Sequence, residues 1–326
     1  MSFEIDELID LLKERNVYIQ THNFPDPDAI AAAFGLQVFL EGFGISSEIC
    51  YYGDIEKTTT AAMVTILGIK MTEANKLIDM KDTDYIITVD SQKGNSNLYD
   101  LPGDEVVCID HHPIFNPGYY RYVDIRMVGS CSSIIADYFR KHNAEMPEKV
   151  ATALLYGLKT DTMNFTRGVT AFDIDIYAYL FGYADNALIR KLQTNAFRYD
   201  DLDAFLTSMS GMRIDNGVAY SFLDFDCTDA FVATVSDFML GLDAVYFAVV
   251  FCRRGNGYKF SVRSEIEKLD AGLITASALS TVGNGGGHNS MAGGFAREDK
   301  LSCVDEDCEK AVRMLFGESI EIFSAS

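Results

Sequence analysis

The stretch Glu105-Val106-Val107-Cys108-Ile109-Asp110-His111-His112-Pro113 decides how the whole chain is read. It opens with a mostly apolar run of the kind buried on both faces of a parallel sheet. Pro113 cannot continue a hydrogen-bonded ladder, so the strand ends before it and both imidazoles sit at its carboxyl end. Ligands of open α/β sheets bind along that edge. An acid followed by two imidazoles suits metal and phosphate chemistry and packs poorly, although the triplet alone could simply close a turn.

Upstream, two further strands end in the same way. Tyr85-Ile86-Ile87-Thr88-Val89 runs into Asp90 and the polar segment Ser91-Gln92-Lys93-Gly94-Asn95. Val17-Tyr18-Ile19-Gln20 runs into Thr21-His22-Asn23-Phe24-Pro25-Asp26-Pro27-Asp28, ahead of a small-residue helix over Ala29–Leu40. The two prolines place His22, Asp26 and Asp28 on a loop, with Asp28 positioned to cap the helix. Capping accounts for one aspartate but not for three potential ligands in seven residues. A strand at 46–51 and helical pieces near 56–67 and 72–80 lie between these two motifs.

Downstream, a Pro/Gly/Tyr-rich loop precedes helices at 130–142 and from about Pro147 to Lys159, Pro147 being a start signal. Asp161 falls in the polar break Thr160-Asp161-Thr162, and helical patterns follow at 170–182 and 185–210. The strand–helix alternation then gives way to a different pattern. A domain boundary is expected within residues 190–210, dividing the chain into 1–195 and 196–326. The second part alternates strands (217–224, 245–253, 258–264) with helices (229–240, 270–281), and Arg254-Gly255-Asn256-Gly257 reads as a hairpin turn. This implies a mixed sheet with helices. It also contains Gly283-Asn284-Gly285-Gly286-Gly287-His288, where successive glycines let backbone N–H groups approach a phosphate, without the Gly-Lys-Ser/Thr ending of a P-loop. Arg263, on a predicted strand, is the candidate for a forked contact to phosphate.

Composition narrows the classes of function. The 326 residues are 48% hydrophobic and 23% charged, as in a globular protein with a sizeable core. Lys plus Arg total 27 against 48 for Asp plus Glu, a formal charge of −21. Such a surface repels long polyanions, so duplex nucleic acid is not an expected partner, whereas a small anion can still bind where divalent cations reverse the local sign. No apolar run has the length of a membrane span, and the first 13 residues read as an acidic amphipathic helix rather than a leader. Seven cysteines without a CxxC pair point to free thiols, a reducing compartment and hence the cytoplasm.

Four carboxylates (Asp26, Asp28, Asp90, Asp161) and two imidazoles (His22, His111) would repel or misfit one another unless cations joined them. They are more than one ion needs and suit two. Oxygen-rich ligation with some imidazole and no thiolate favours Mn²⁺, with Mg²⁺ or Co²⁺ as substitutes, over structural zinc. Two such ions supply the attacking hydroxide for in-line displacement at phosphorus and screen the charge that develops. No protein nucleophile is then required, in keeping with the lack of a G-x-S-x-G elbow.

These motifs, His22-x-x-x-Asp26-x-Asp28-Ala29, Asp90, Asp110-His111-His112-Pro113 and Thr160-Asp161, resemble the ordered motifs of the DHH phosphoesterases. Arg263, Gly285-Gly286-Gly287-His288 and Ala292-Gly293-Gly294 resemble the DHH-associated substrate domain. The resemblance implies an α/β fold: a parallel-sheet metal-binding domain with helices on both faces, a smaller mixed-sheet domain, and an active site in the cleft between them. It further implies that His22 and Asp26 hold one Mn²⁺, that Asp28, His111 and Asp161 hold the other, and that Asp90 bridges. Asp110 would orient an imidazole from behind, and His112 would contact the substrate phosphate and protonate the leaving oxygen. Arg263, Gly285, Gly286, Gly287 and His288 would bind substrate. The expected substrates are very short oligonucleotides or 3′-phosphoadenosine 5′-phosphate. Cyclic or linear dinucleotides and polyphosphate are the alternatives, as is a non-catalytic nucleotide sensor. A homodimer is an admissible assembly. After Asp28-Ala29-Ile30 many relatives continue Gly-Ser, where this chain has Ala31-Ala32, so substrate choice need not follow theirs.

Overall fold

A computed structural model describes residues 5–55, 57–114, 118–194, 202–266 and 268–324. The chain forms two compact units, 1–196 and 197–326. The expected boundary between residues 195 and 196 lies outside the described residues.

The first unit is built on a six-stranded, wholly parallel sheet. Its strands are β1 (Val17–Gln20), β2 (Ser47–Tyr51), β3 (Thr72–Glu73), β4 (Tyr85–Val89), β5 (Asp104–Asp110) and β6 (Tyr122–Ile125), in the order β3-β2-β1-β4-β5-β6. Its helices are α1 (Ile5–Leu12), α2 (Pro27–Glu41), α3 (Thr58–Leu67), α4 (Cys131–Lys141), α5 (Glu148–Asp161), α6 (Ala171–Phe181) and α7 (Asn186–Thr194). Alternation along the central strands divides the packing. Ile19, Ile87, Val89, Val107 and Ile109 join the helices in the main core, while Cys50 and Ile86 point to the other face, against Ala74, Met80 and Leu101. The second cluster takes in Ala74 from a 3-10 turn, Ala74–Lys76.

The second unit carries α8 (Leu202–Gly211), β7 (Arg213–Asp215), β8 (Val218–Leu223), α9 (Asp229–Leu240), β9 (Phe247–Arg254), β10 (Gly257–Ser264), α10 (Ala271–Leu279), β11 (Gly283–Gly287), β12 (Met291–Arg297), α11 (Glu298–Leu301) and α12 (Cys308–Ser324). Its sheet runs β11-β12-β10-β9-β8-β7 and is mixed, with β8 and β9 parallel and the other pairs antiparallel. Phe251, Phe260 and Val262 pack toward α10 and α12, and Ala248, Val250 and Cys252 toward α9.

Several local expectations are corrected. Helix α2 begins at Pro27, with Asp26 as its N-cap: the Asp26 carboxylate accepts the N–H groups of Asp28 and Ala29 at 2.9 and 3.0 Å. Pro27 needs no donor partner in the first turn, so it starts the helix instead of delaying it. Asp28 therefore lies inside the helix and is not its cap. Residues 72–80 form the short β3 and the 3-10 turn in place of a helix. The Tyr-rich loop contains β6. Asp161 closes α5 and does not follow it. The glycine-rich segment is an edge strand, β11, and not a free turn.

Candidate metal centre

Sheet register assembles the first part of the site. Gln20 pairs with Cys50 on one side and Thr88 on the other, and Val89 pairs with Ile109. The residues that follow β1, β4 and β5 therefore emerge along one edge: His22, Asp90 and His111. Asp90 itself has φ 60° and donates its N–H to the Ile109 carbonyl at 3.0 Å. Aspartate tolerates this left-handed backbone better than most residues, and it turns the carboxylate back across the strand ends.

Helices bring the remaining acids. Asp28, fully buried in the first turn of α2, accepts the N–H groups of Cys131 at 2.7 Å and Ser132 at 3.0 Å, at the positive end of α4. Gly157 of α5 permits this meeting of three helices, because a Cβ there would lie 2.5 Å from Ser132 Oγ and 3.1 Å from Asp28 Cα. Asp161, at the end of α5, places Oδ2 3.3 Å from His111 Nε2.

The imidazoles are oriented from behind. His22 Nδ1 meets the Asn23 carbonyl at 2.8 Å, and His111 Nδ1 meets the Val128 carbonyl at 3.1 Å. Each contact selects the tautomer that leaves Nε2 bare for a ligand. His22 Nε2 lies 3.7 Å from Asp26 and 3.8 Å from Asp90, and His111 Nε2 lies 3.2 Å from Asp90 Oδ1. The ligand atoms fall into overlapping groups within 4.8 Å: His22 with Asp26 and Asp90, Asp28 with His111 and Asp161, and Asp90 with His111 and His112. Asp90 belongs to two of the three and Asp90 Oδ1 is buried without a hydrogen-bond partner. A buried carboxylate oxygen left without a donor among acids and imidazoles is what a cation would satisfy, so the donor set fits divalent metal.

Electrostatics agree. Burial and the neighbouring charges of Asp90 and Asp161 push Asp28 well above the ordinary carboxylate range. Burial, with Asp26 and Asp90 nearby, pushes Asp161 up to about 6. Asp26 is the exception: the adjacent His22 outweighs desolvation and holds it below the usual range. The cluster carries more negative charge than its two imidazoles can balance.

Asp110 stands one layer back. Its Oδ1 meets His112 Nδ1 at 2.9 Å and accepts the His111 N–H at 2.8 Å, while Oδ2 accepts from Gln92 Nε2 at 2.7 Å. The Asp110 contact raises His112 above its ordinary pKa and directs its other ring nitrogen elsewhere. Sequence reasoning missed Gln92, and it also missed Arg167, which donates to the Asp161 carboxylate at 3.2 Å and to its carbonyl at 2.6 Å. A cation six residues beyond a candidate ligand was the available signal. The loop that delivers Val128 and the α4 amides is itself held: the Gly129 N–H donates to buried Asp173 at 2.8 Å, and Arg126 bridges Asp124 and Asp137.

Asp26 and Asp28 make different structural contributions, and their truncation separates them. Asp26→Ala removes an N-cap and lowers stability by about 1 kcal/mol. Asp28→Ala leaves two buried amides unpaired, at about 1–3 kcal/mol each. Urea unfolding of the metal-free variants is expected to show the larger loss at position 28. A smaller loss there would mean that relief of carboxylate repulsion outweighs the orphaned amides.

In the second unit, Arg263 sends Nε to Asp237 Oδ1 of α9 at 2.5 Å and Nη1 to Ser261 Oγ at 3.1 Å. Its fork is thus already engaged. Gly285 and Gly287 are required by packing, since a Cβ would lie 2.7 Å from Thr275 Cγ2 and 2.5 Å from the Met291 carbonyl respectively. At Gly286 a Cβ would meet nothing within 4 Å, so its backbone is open to approach. His288 is exposed, and its backbone links β12 to the start of α10: its N–H donates to Met291 at 2.7 Å and its carbonyl accepts from Gly272 at 3.0 Å.

Comparison with known proteins follows the same division. Residues 16–158 match the model of the DHH family, N-terminal domain, and residues 215–315 match the DHHA1 domain. An uncharacterized protein of Methanocaldococcus jannaschii is 28% identical over 310 residues, covering 94% of this chain and 63% of its own length. A probable manganese-dependent inorganic pyrophosphatase of Streptococcus thermophilus is 27% identical over 150 residues, covering 45% of this chain and 48% of that protein. The chain thus spans about half to two thirds of the length of these relatives. Among solved structures, an exopolyphosphatase-related protein from Bacteroides fragilis superposes with a TM-score of 0.78 at 18% identity, covering 98% of this chain and 97% of that one. This last likeness is one of fold.

Proposed function

We propose that this chain, which belongs to the DHH family, is a metal-dependent phosphoesterase whose substrates are small phosphorylated nucleotides. The observation that carries this reading is the convergence of His22, Asp26, Asp28, Asp90, His111 and Asp161 into overlapping groups of ligand atoms, two of which share buried Asp90. His22 and Asp26 would hold one divalent cation, Asp28, His111 and Asp161 a second, with Asp90 shared. Manganese is the favoured metal, being the one in the streptococcal relative's name. Cations bound there would supply an activated water at neutral pH and neutralise the charge of the phosphoryl group. His112, whose pKa is raised by the Asp110 contact, would donate to the leaving oxygen. In the second unit, Gly286 and His288 are the candidates for binding a phosphate group.

Pyrophosphate or polyphosphate is the competing substrate class, favoured by the name of the streptococcal relative. The charge pattern of the second unit speaks against it. Arg253, Arg254, Lys259, Arg263, Arg297 and Lys310 all lie within ion-pair distance of carboxylates. These six cations of the described residues are thus already engaged by carboxylates, which disfavours an all-phosphate ligand, whereas a nucleotide binds through other groups as well.

A product-resolved assay with Mn²⁺ tests the reading. Dinucleotides, 3′-phosphoadenosine 5′-phosphate, cyclic dinucleotides, pyrophosphate and tripolyphosphate are supplied in parallel. Release of nucleoside monophosphate from a short nucleotide substrate, abolished by chelator, is the expected result. Turnover of the inorganic substrates alone would transfer the assignment to the competing class, and binding without turnover would indicate a sensor.

A further inference from the structure

Beside the metal centre lies an aromatic cluster that the chemistry above does not use. Phe24 sits between His22 and Asp26, two residues from each, so its Cα is within about 7 Å of both. It is 53% exposed. Its backbone has φ 54° although it is bulky and precedes Pro25, a combination that is sterically disfavoured. The neighbours maintain it: the Phe24 N–H donates to the Tyr52 carbonyl at 2.7 Å, and the Asn23 N–H to Asn97 at 2.7 Å. One face of the ring rests on Gly53, where a Cβ would come within 2.6 Å of Phe24 Cε1. Tyr52 meets the ring edge-on at 6.5 Å and stacks in parallel on Tyr99 at 4.4 Å and 6°. Tyr52 and Tyr99 remain 39% and 43% exposed. Gln20 and Asn23 hold the Tyr99 backbone at 2.6 and 2.9 Å.

A hydrophobic ring kept in solvent on a strained backbone has no role in the core, and strain of this kind persists where surroundings enforce it, commonly at ligand sites. We propose that Phe24, backed by Tyr52 and Tyr99, is a platform on which the nucleobase of the substrate stacks while its phosphate lies at the strand ends. The proposal rests on the nucleotide reading above and deepens it. A flat heteroaromatic ring is the occupant that suits a rigid aromatic surface next to a phosphate site, since every base offers a π-face and stacking needs no hydrogen-bond match. An inorganic phosphate chain would gain nothing from these three rings.

The test compares adenosine 5′-monophosphate with ribose 5-phosphate, which differ by the base alone, by equilibrium dialysis against Mn²⁺-loaded protein. The wild type is expected to bind the nucleotide about ten-fold or more tightly than the sugar phosphate. Phe24→Ala and Tyr52→Ala, verified as folded by circular dichroism, should each reduce that ratio. In hydrolysis, the ratio of kcat/KM for a dinucleotide to that for tripolyphosphate should fall in the same variants. Equal affinity for the two ligands in the wild type, or a ratio that survives both substitutions, overturns the platform. A base preference in a protein that hydrolyses none of the panel would instead overturn the enzymatic reading and leave the platform standing.

Discussion

Replacing Asp90 with alanine lowers kcat/KM by more than about 100-fold. Residues that merely orient a ligand from outside the coordination shell are worth about 10–100-fold, and Asp90 stands closer than that. It lies against His22, His111 and His112 together, and one of its oxygens has no hydrogen-bond partner. Asp110→Asn, by contrast, keeps the shape behind His112 and removes the charge that raises its pKa. Its effect is expected to fall within the orienting range, with the alkaline limb of the pH–rate profile most changed, because the activity of a proton donor falls as pH rises through its pKa. A steady-state comparison of both variants checks the order. Full activity in Asp90→Ala would remove this aspartate from the chemistry.

Metal uptake at pH 7 is expected to expel at least two protons, one from each of His22 and His111. Burial disfavours charge on His22, yet Asp26 and Asp90 outweigh it and raise its pKa from 6.5 to about 10. His111, likewise opposed by burial, is raised to about 11 by Asp90, Asp28 and Asp161. Both folded values lie above the unfolded one. In the metal-free chain their contribution to stability is therefore complete below about pH 6.5 and is lost as pH rises through 10 to 11. A cation requires the neutral imidazoles, so binding displaces both protons, and apparent affinity climbs by up to about 100-fold per pH unit from neutrality toward pH 9. Stabilisation follows the same direction, at about 2.7 kcal/mol when metal is present at 100 times Kd. Calorimetric titration in two buffers of different ionisation enthalpy measures the protons released. A heat independent of buffer would show that the imidazoles are already neutral or do not bind the ion.

The parts of this account legible in sequence were those with local signatures. The apolar run before Asp110 and the proline after His112 define β5, and the same pattern places Asp90 after β4. Convergence of Asp28 and Asp161 could only be expected, because it depends on α2, α4 and α5 packing closely at Gly157. The capping error at Asp28 was avoidable: a proline at 27 is a first-turn residue, which makes 26 the cap. β6 and β11 were harder to see. The first has four residues behind a loop. The second is almost all glycine, a residue poorly disposed to form strands, and gains its structure from pairing with β12. Arg263 looked available for phosphate because nothing in the sequence signals that Asp237, 26 residues earlier on a helix, reaches it.

The number of metal ions retained per chain decides whether the six side chains form a paired-cation centre. Chain stripped with chelator, reloaded with Mn²⁺ and freed of excess by gel filtration should retain two ions per chain by elemental analysis, and the Asp90→Ala chain fewer. Retention of none by the wild type, or an unchanged count in the variant, would contradict a paired-cation centre built on these six side chains.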